Sequence, residues 1–469
     1  MVDVLGWPVV GRLLRWRHSR TAIQLGFLVV AVALVAQGLF GSQVAPDNLA
    51  TVVTWVHYRG LLVIALLAAG NLFCTGCPFV LVRDVGRRLH RPTLRWPRWL
   101  RTKWIALVLF AGVLFSYELF DLWALPRGTA LLVLAYFGAA LSIDLVFSGA
   151  TFCKYLCPIG QFNFVASTMS PLELRVQQPE RCRTCGTFDC IKGNRQTGQR
   201  GCELGLFLPS KIGNLDCTFC LDCVQACPHD NVALAARVPG AEVLDLRRRS
   251  GIGKLADRGD IAALAVLFTF GGLLNAFAMV APGLAVERWL ARLMGSRSEA
   301  PALAGLFVLA LVVAPVALLG GAAWATRLLT GGPRISLAQT AARYAWALVP
   351  LGFGVWLAHY GFHLLTGALT IVPVTQSAVA GALGWPALGE PLWQWAGMRP
   401  GHVYPIQIGF VVLGALGSFA LAALVSERDH PDRAVAVVIP WVAVVAALAA
   451  AACWILSQPM DMRAIGVAG

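Results

Sequence analysis

Charge is what this chain has least of. Only 13% of its 469 residues are charged, whereas 58% are hydrophobic. Soluble domains average about 25% charged residues, so this composition excludes a soluble globular protein and points to an integral membrane one. Acids are scarcer than bases, 24 against 38, which leaves a net charge of +14. Such an excess can serve nucleic acid, but here the arginines stand in short loops beside apolar runs. There they set topology and meet anionic lipid, so membrane lipid is the expected partner and nucleic acid is not. Ionisable residues inside the apolar runs are few, which argues against the polar lining of a substrate transporter. Nor does a cleavable leader precede the first run: Arg12, Arg15, Arg17 and Arg20 read as the cytoplasmic flank of an uncleaved first span.

Cysteine, by contrast, is plentiful, with thirteen in all. The segment Cys217, Cys220, Cys223, Cys227-Pro228 has the Cys-x2-Cys-x2-Cys-x3-Cys-Pro spacing of bacterial ferredoxins, in which the fourth thiolate serves a second cluster. A second run is therefore required nearby, and Cys182, Cys185, Cys190 and Cys202 supply it. The competing reading is a structural zinc ribbon. Under the cross-over rule, Cys182, Cys185, Cys190 and Cys227 hold one [4Fe-4S] cluster, and Cys202, Cys217, Cys220 and Cys223 hold the other. The gaps in the upstream run are long and no proline follows Cys202, so an exchange of Cys190 and Cys202 stays open.

Apolar runs at Ala22–Phe40, from about Thr51 to Cys74, at Trp104–Phe120 and at Thr129–Val146 read as four spans before the polar segment. The loop from Arg83 to Lys103 carries Arg83, Arg87, Arg88, Arg91, Arg95, Arg98, Arg101 and Lys103 against the single acid Asp84, and so belongs in the cytoplasm. Further spans are read at Ile261–Ala281, Ala302–Trp324, Ala345–Val372, Tyr404–Val425 and Ala434–Leu456, with Arg327, Arg334, Arg343, Arg428 and Arg433 marking cytoplasmic returns. The expected fold is thus an α-helical polytopic membrane protein of about nine spans with an inserted cytoplasmic 2[4Fe-4S] ferredoxin domain. The segments are a four-helix membrane domain at 1–170, the ferredoxin domain at 171–260 and a five-helix membrane domain at 261–469. Localisation follows as the bacterial inner membrane, with the N-terminus and ferredoxin domain cytoplasmic and the C-terminus periplasmic.

A repeat is visible in the first half. Span two ends in Phe73-Cys74-Thr75-Gly76-Cys77-Pro78 and span four leads into Phe152-Cys153-Lys154-Tyr155-Leu156-Cys157-Pro158, each after an outward span and a short link. Two hairpins in the same sense imply a pseudo-two-fold along the membrane normal. It would bring Cys74, Cys77, Cys153 and Cys157 together as ligands of a third iron-sulfur cluster. The bland alternative is small packing residues, which is also the reading for the lone Cys453.

These paired Cys-Pro helix ends followed by a double ferredoxin resemble the membrane polyferredoxins of the NapH/NosR type, FesM-like members included. That family is related to the quinol-dehydrogenase subunit of periplasmic nitrate reductase and to the nitrous-oxide-reductase electron donor. Its Cys-x3-Cys-Pro pair is matched by Cys153 to Pro158, whereas Cys74 to Pro78 is one residue shorter. The resemblance covers roughly residues 50 to 230. It implies electron exchange between quinone or cytoplasmic donors and periplasmic redox proteins, without an ordinary catalytic site.

Histidines 57, 359, 363 and 402 complete the candidates. His359 and His363 share a helix face, and His57 and His402 begin inward-running spans. Haem b ligation, hydrogen bonding to a quinone and ordinary interfacial roles all remain open. Glu118, Asp121 and His57 form a weaker candidate path for protons, and Asp144 sits near the inner end of span four. The expected function is electron relay through iron-sulfur clusters between a cytoplasmic redox protein and quinone or a periplasmic c-type cytochrome. Whether the chain is itself an enzyme is left open, the nearest fit being the iron-sulfur subunit of a hetero-oligomeric quinone/cytochrome oxidoreductase. The rival expectation is an electron-donating factor for metalloenzyme assembly.

Overall fold

The computed structural model describes residues 3–296, 298–332 and 335–460. Arg334 and the C-terminus lie outside the described residues. The apolar helices are α1 (Ser19–Phe40), α2 (Leu49–Ala69), α3 (Trp104–Leu119), α4 (Pro126–Val146), α5 (Gly259–Phe277), α6 (Ala300–Thr330), α7 (Leu337–Thr366), α8 (Pro400–Asp429) and α9 (Pro431–Ser457). Among the described residues eight helices are long and apolar enough to cross a membrane, which makes the chain a multi-pass membrane protein. Shorter apolar helices are α3, whose 16 residues rise about 24 Å against a hydrocarbon core of about 30 Å, and Ile371–Leu383. Apolar side chains such as Leu61, Val108, Val316, Leu413 and Val435 point outward, as lipid-facing surfaces require.

Among the described residues, two helices contain a π turn. In α6, residues Leu309–Val313 form a π turn immediately before Pro315, whose ring cannot fit a regular ladder. In α2, Val52–Tyr58 is also π-helical, and no proline accounts for it. Isolated π turns recur at functional sites.

The chain condenses into two compact units, which cut across the hydropathy segments. One comprises Met1–Val32, Ile64–Ala106 and Leu134–Arg258, and the other Ala33–Val63, Leu107–Val133 and Gly259–Gly469. In the first unit, strands β1 (Leu172–Val176) and β2 (Val232–Ala236) pair antiparallel with Leu174 opposite Leu234. Asp3 extends this ribbon: its carboxylate accepts from the backbone N–H of Leu234 and of Leu5. The core beneath gathers Leu5, Leu14, Leu174, Leu206, Phe219, Leu221 and Leu234.

The second unit is built on α7, which packs between α5 and α8. Small residues allow the close approach, since a Cβ on Gly354 would lie 2.5 Å from the Phe410 carbonyl oxygen and one on Gly414 2.7 Å from that of Pro350. Trp356 donates to the Phe268 carbonyl at 2.8 Å, and Tyr344 stacks on Trp441.

Candidate metal centres

All twelve paired or clustered cysteines fall in the first unit, and all are free thiols. They assemble into three groups of four. Cys182, Cys185, Cys190 and Cys227 line one hollow, together with Phe188, Phe207, Pro228 and His229. Cys202 is near enough to Cys217, Cys220 and Cys223 for their thiolates to repel one another. Cys157 stands in the same relation to Cys77 and Cys74, and Cys153 to Cys157 and Cys77. Among the described residues no three His, Cys, Asp or Glu side chains close around a point where a single ion could sit.

Local sequence explains the gathering. Cys77 and Cys157 are each the N-cap of a helix that opens with proline, Pro78–Leu89 and Pro158–Ala166. Proline suits the first helical position because the N–H it lacks would be unpaired there, and the N–H groups just beyond it are free to meet the thiol. Accordingly Gly160 N donates to Cys157 Sγ at 3.2 Å, and the Phe79 and Val80 amides meet Cys77. Short helices, Leu72–Thr75 and Thr151–Tyr155, deliver the other two sulfurs. Within the ferredoxin runs, Phe188, Phe219 and Leu221 adopt left-handed φ of +54°, +52° and +63°. Non-glycine residues resist this region by about 1–2 kcal/mol each. Phe219 and Leu221 are held there by near-complete burial, and the chain between them curls around Cys220.

Further donors reach the sulfurs. Asn163 donates to Cys74 Sγ at 3.1 Å, and Leu206 N to Cys202 Sγ at 3.4 Å. Asn231 uses its side-chain amide on Cys182 Sγ and its backbone N–H on Cys227 Sγ, both at 3.4 Å. Burial pushes the Cys217, Cys220 and Cys223 thiols above their ordinary range, and Cys74 up to about 12. Cys185 is the exception. Hydrogen bonds from the Phe188 amide and the Thr187 hydroxyl, with little burial against them, bring it down to about 7.

The groups are stitched together. Asn71 and Thr75, which flank Cys74, donate to the carbonyls of Cys217 and Phe219, each at 2.6 Å, and Cys202 N donates to the Cys190 carbonyl at 2.9 Å. The group containing Cys202 therefore adjoins both others.

Charge is buried beside them. Arg83 is 1% exposed and meets Asp84 at 2.8 Å, Glu203 at 3.0 Å and Asp144 at 3.5 Å. Arg20 meets Glu203 and Asp222, each at 3.0 Å. The sequence expectation that these arginines face lipid headgroups fails for Arg20 and Arg83, because carboxylates of the polar segment claim them. No sequence signal paired them with Glu203 and Asp222, which are remote in the chain. Asp144 also caps the Phe152 amide at 2.9 Å.

The histidines lie in the second unit and diverge. His57, in the π turn of α2, has Nδ1 3.2 Å from the Val52 carbonyl and Nε2 3.3 Å from that of Ala368. His402 is exposed at the start of α8. His359 and His363, successive on one face of α7, each bury an Nε2 that has no hydrogen-bond partner among the described residues. Glu118, expected near a surface, is buried and accepts from Asn275 at 3.0 Å. Cys453 is half-buried in α9.

Part of the chain is similar to known proteins. The chain is similar to YccM of Escherichia coli K12, whose name proposes electron transport, at 27% identity over 198 residues, 36% of this chain and 51% of YccM. It is similar to MauN of Methylobacillus flagellatus, a methylamine utilization ferredoxin-type protein, at 26% over 210 residues, 40% of this chain and 69% of MauN. A third relative is the uncharacterized protein MJ0749 of Methanocaldococcus jannaschii, 23% identical over 231 residues, 46% of this chain and 82% of MJ0749. The chain spans about half the length of YccM. No family model and no solved structure matches. These likenesses support a general electron-transfer role for a ferredoxin-like membrane protein.

Proposed function

We propose that the first unit is an iron-sulfur relay serving a cytoplasmic redox protein at one end and quinone or a periplasmic c-type cytochrome at the other. The observation that carries this is the ordered adjacency of three cysteine groups, the middle one hydrogen-bonded through backbone to both neighbours. The ligand sets are Cys182, Cys185, Cys190 and Cys227; Cys202, Cys217, Cys220 and Cys223; and Cys74, Cys77, Cys153 and Cys157. When bound, iron-sulfur clusters supply one-electron transfer at potentials set by charge, burial and N–H donors to sulfur. The chain's own part is to present thiolates, to donate N–H groups to them, and to place Arg20 and Arg83 near the two inner sets, where positive charge offsets the negative charge of the thiolates.

The outermost set marks the cytoplasmic docking face. Cys185 is only half-buried, and Arg181, Arg183, Lys192 and Arg195 are exposed around that run. A small acidic electron carrier complements this face, with association that weakens as salt rises. The protein then resides in a bacterial inner membrane with this unit on the cytoplasmic side, as arginine-rich loops require. Its likeness to the NapH/NosR type supports the same reading, including membership of a larger complex.

Anaerobic purification followed by metal analysis tests it. Roughly eight to twelve irons per chain are expected, depending on the type of the third cluster. Cys185→Ser, Cys220→Ser and Cys157→Ser should each remove a different paramagnetic signal of the reduced protein. Zinc in place of iron, or loss of all signals in every variant, refutes the assignment.

A further inference from the structure

A cation without a carboxylate stands inside the second unit. Arg59, in α2, is 8% exposed, and among the described residues no Asp or Glu forms an ion pair with it. Its guanidinium is enclosed by rings instead, 5.1 Å from the centroid of Trp55, 5.0 Å from Tyr117 and 4.6 Å from Tyr360. It donates to the Trp55 carbonyl at 2.9 Å and to the Tyr117 hydroxyl at 3.2 Å. The two unpartnered imidazole nitrogens belong to the same neighbourhood, since His359 and His363 both feel the charge of Arg59. Their rings lie 5.1 Å apart, edge to face, and His359 packs against Tyr360.

A charged side chain in a membrane segment is costly, and so is each buried polar atom without a partner. Aromatic faces recover part of the first cost but give the imidazoles nothing. Helices α2 and α3 thus supply a buried cation held by neutral oxygens and rings alone, and α7 adds, among the described residues, two imidazole nitrogens without a partner. The matching ligand is apolar enough to live in the bilayer, flat enough to lie between rings, and equipped with carbonyl or phenolate oxygen.

We propose that Arg59, His359 and His363 form the head-group site of an isoprenoid quinone. Arg59 donates to one oxygen, and a neutral imidazole donates to, or accepts from, the same ring according to its redox state. His363 and Phe362 are only half-buried, and Leu61 is exposed on the outer surface of α2, so one side of the site opens toward lipid. A haem held between helices draws one histidine from each of two, whereas both unpartnered imidazoles here belong to α7. The proposal rests on the electron-transfer reading for its biological sense, but binding is independent of it.

The test is photolabelling with an azido-substituted short-chain benzoquinone, performed on the full chain in detergent with and without its iron, followed by peptide mapping. Label is expected on the peptides carrying residues 55–59, 117–118 and 356–363, in both preparations. Arg59→Met and His359→Leu, which replace buried polar groups with apolar ones of similar size and so should retain the fold, are expected to cut labelling at least tenfold. Arg59→Lys should retain part of it. Circular dichroism and thermal unfolding of each variant exclude global disruption. Unchanged labelling in folded Arg59→Met, label confined to other helices, or displacement by anionic phospholipid but not by unlabelled quinone overturns the proposal. Each of these results leaves the iron count untouched, so the relay stands or falls separately.

Discussion

Arg83→Leu is the perturbation that tests most directly what holds the cysteine groups in place. The guanidinium is 1% exposed and is shared among Asp84, Glu203 and Asp144, while Glu203 is shared in turn with Arg20. Removing one member of a buried ion network leaves its partners desolvated and uncompensated, at a cost of about 3–5 kcal/mol. Asp144 keeps the Phe152 amide at 2.9 Å and a distant Arg87 at 3.9 Å, and Glu203 keeps Arg20, which places the expectation at the lower end of that range. At roughly 2–4 °C per kcal/mol for a unit of this size, the unfolding midpoint should fall by about 6–12 °C. Thermal unfolding in detergent, read by tryptophan fluorescence, measures it. Glu203→Gln should cost a comparable amount, and the double variant should be more stable than the sum by about 1–3 kcal/mol. Burial alone raises the Glu203 carboxyl, but Arg83 and Arg20 outweigh it and hold the group well below the usual range. A depressed carboxylate contributes stability above its unfolded value that is lost as pH falls toward the folded one. Wild type should therefore lose stability on acidification below about pH 4.5, the ordinary value, and Glu203→Gln should lose less there. Additive effects of the two substitutions, or a midpoint within 2 °C of wild type for Arg83→Leu, would refute the network as a support.

Three further outcomes follow from particular residues. In iron-free protein, Cys185 should be alkylated first by iodoacetamide with a half-maximal rate near pH 7, because its thiolate dominates above that value, whereas Cys190, pushed up to about 11, stays slow through pH 8; mass mapping that finds Cys190 or Cys217 modified first contradicts this. Gly70→Ala puts a Cβ 2.5 Å from Ser170 Oγ at φ +66°, so it should lower stability by about 1–2 kcal/mol and reduce iron retention, while Gly112→Ala, with open space, should do neither. Arg181→Glu combined with Lys192→Glu should slow reduction by an acidic carrier at least several-fold at low salt and flatten its ionic-strength dependence, measured by stopped flow; an unchanged salt slope would place docking elsewhere.

Several things were legible in the chain itself. Apolar runs located the membrane helices because span length and hydrocarbon thickness are matched quantities, and Trp104–Leu119 was seen in place though short. Cysteine spacing singled out twelve sulfurs as candidate ligands, because ligand geometry fixes local intervals. The Cys-Pro pairs at Cys77 and Cys157 read in sequence as helix ends, whereas each proline opens a further helix, where the N–H it lacks would be unpaired anyway. Partnership across the chain was not legible. Arg20 and Arg83 looked like topology signals, and only folding set them against Glu203 and Asp222 in the interior. Four histidines looked alike in sequence. Tertiary contacts satisfied His57, left His402 exposed, and brought Arg59 close to the two imidazoles of α7. The sequence alone determined which elements form and which atoms can ligate, since these depend on neighbours in the chain. The tertiary structure decided which charges are buried and which donors lack acceptors, because both depend on residues brought together from distant positions.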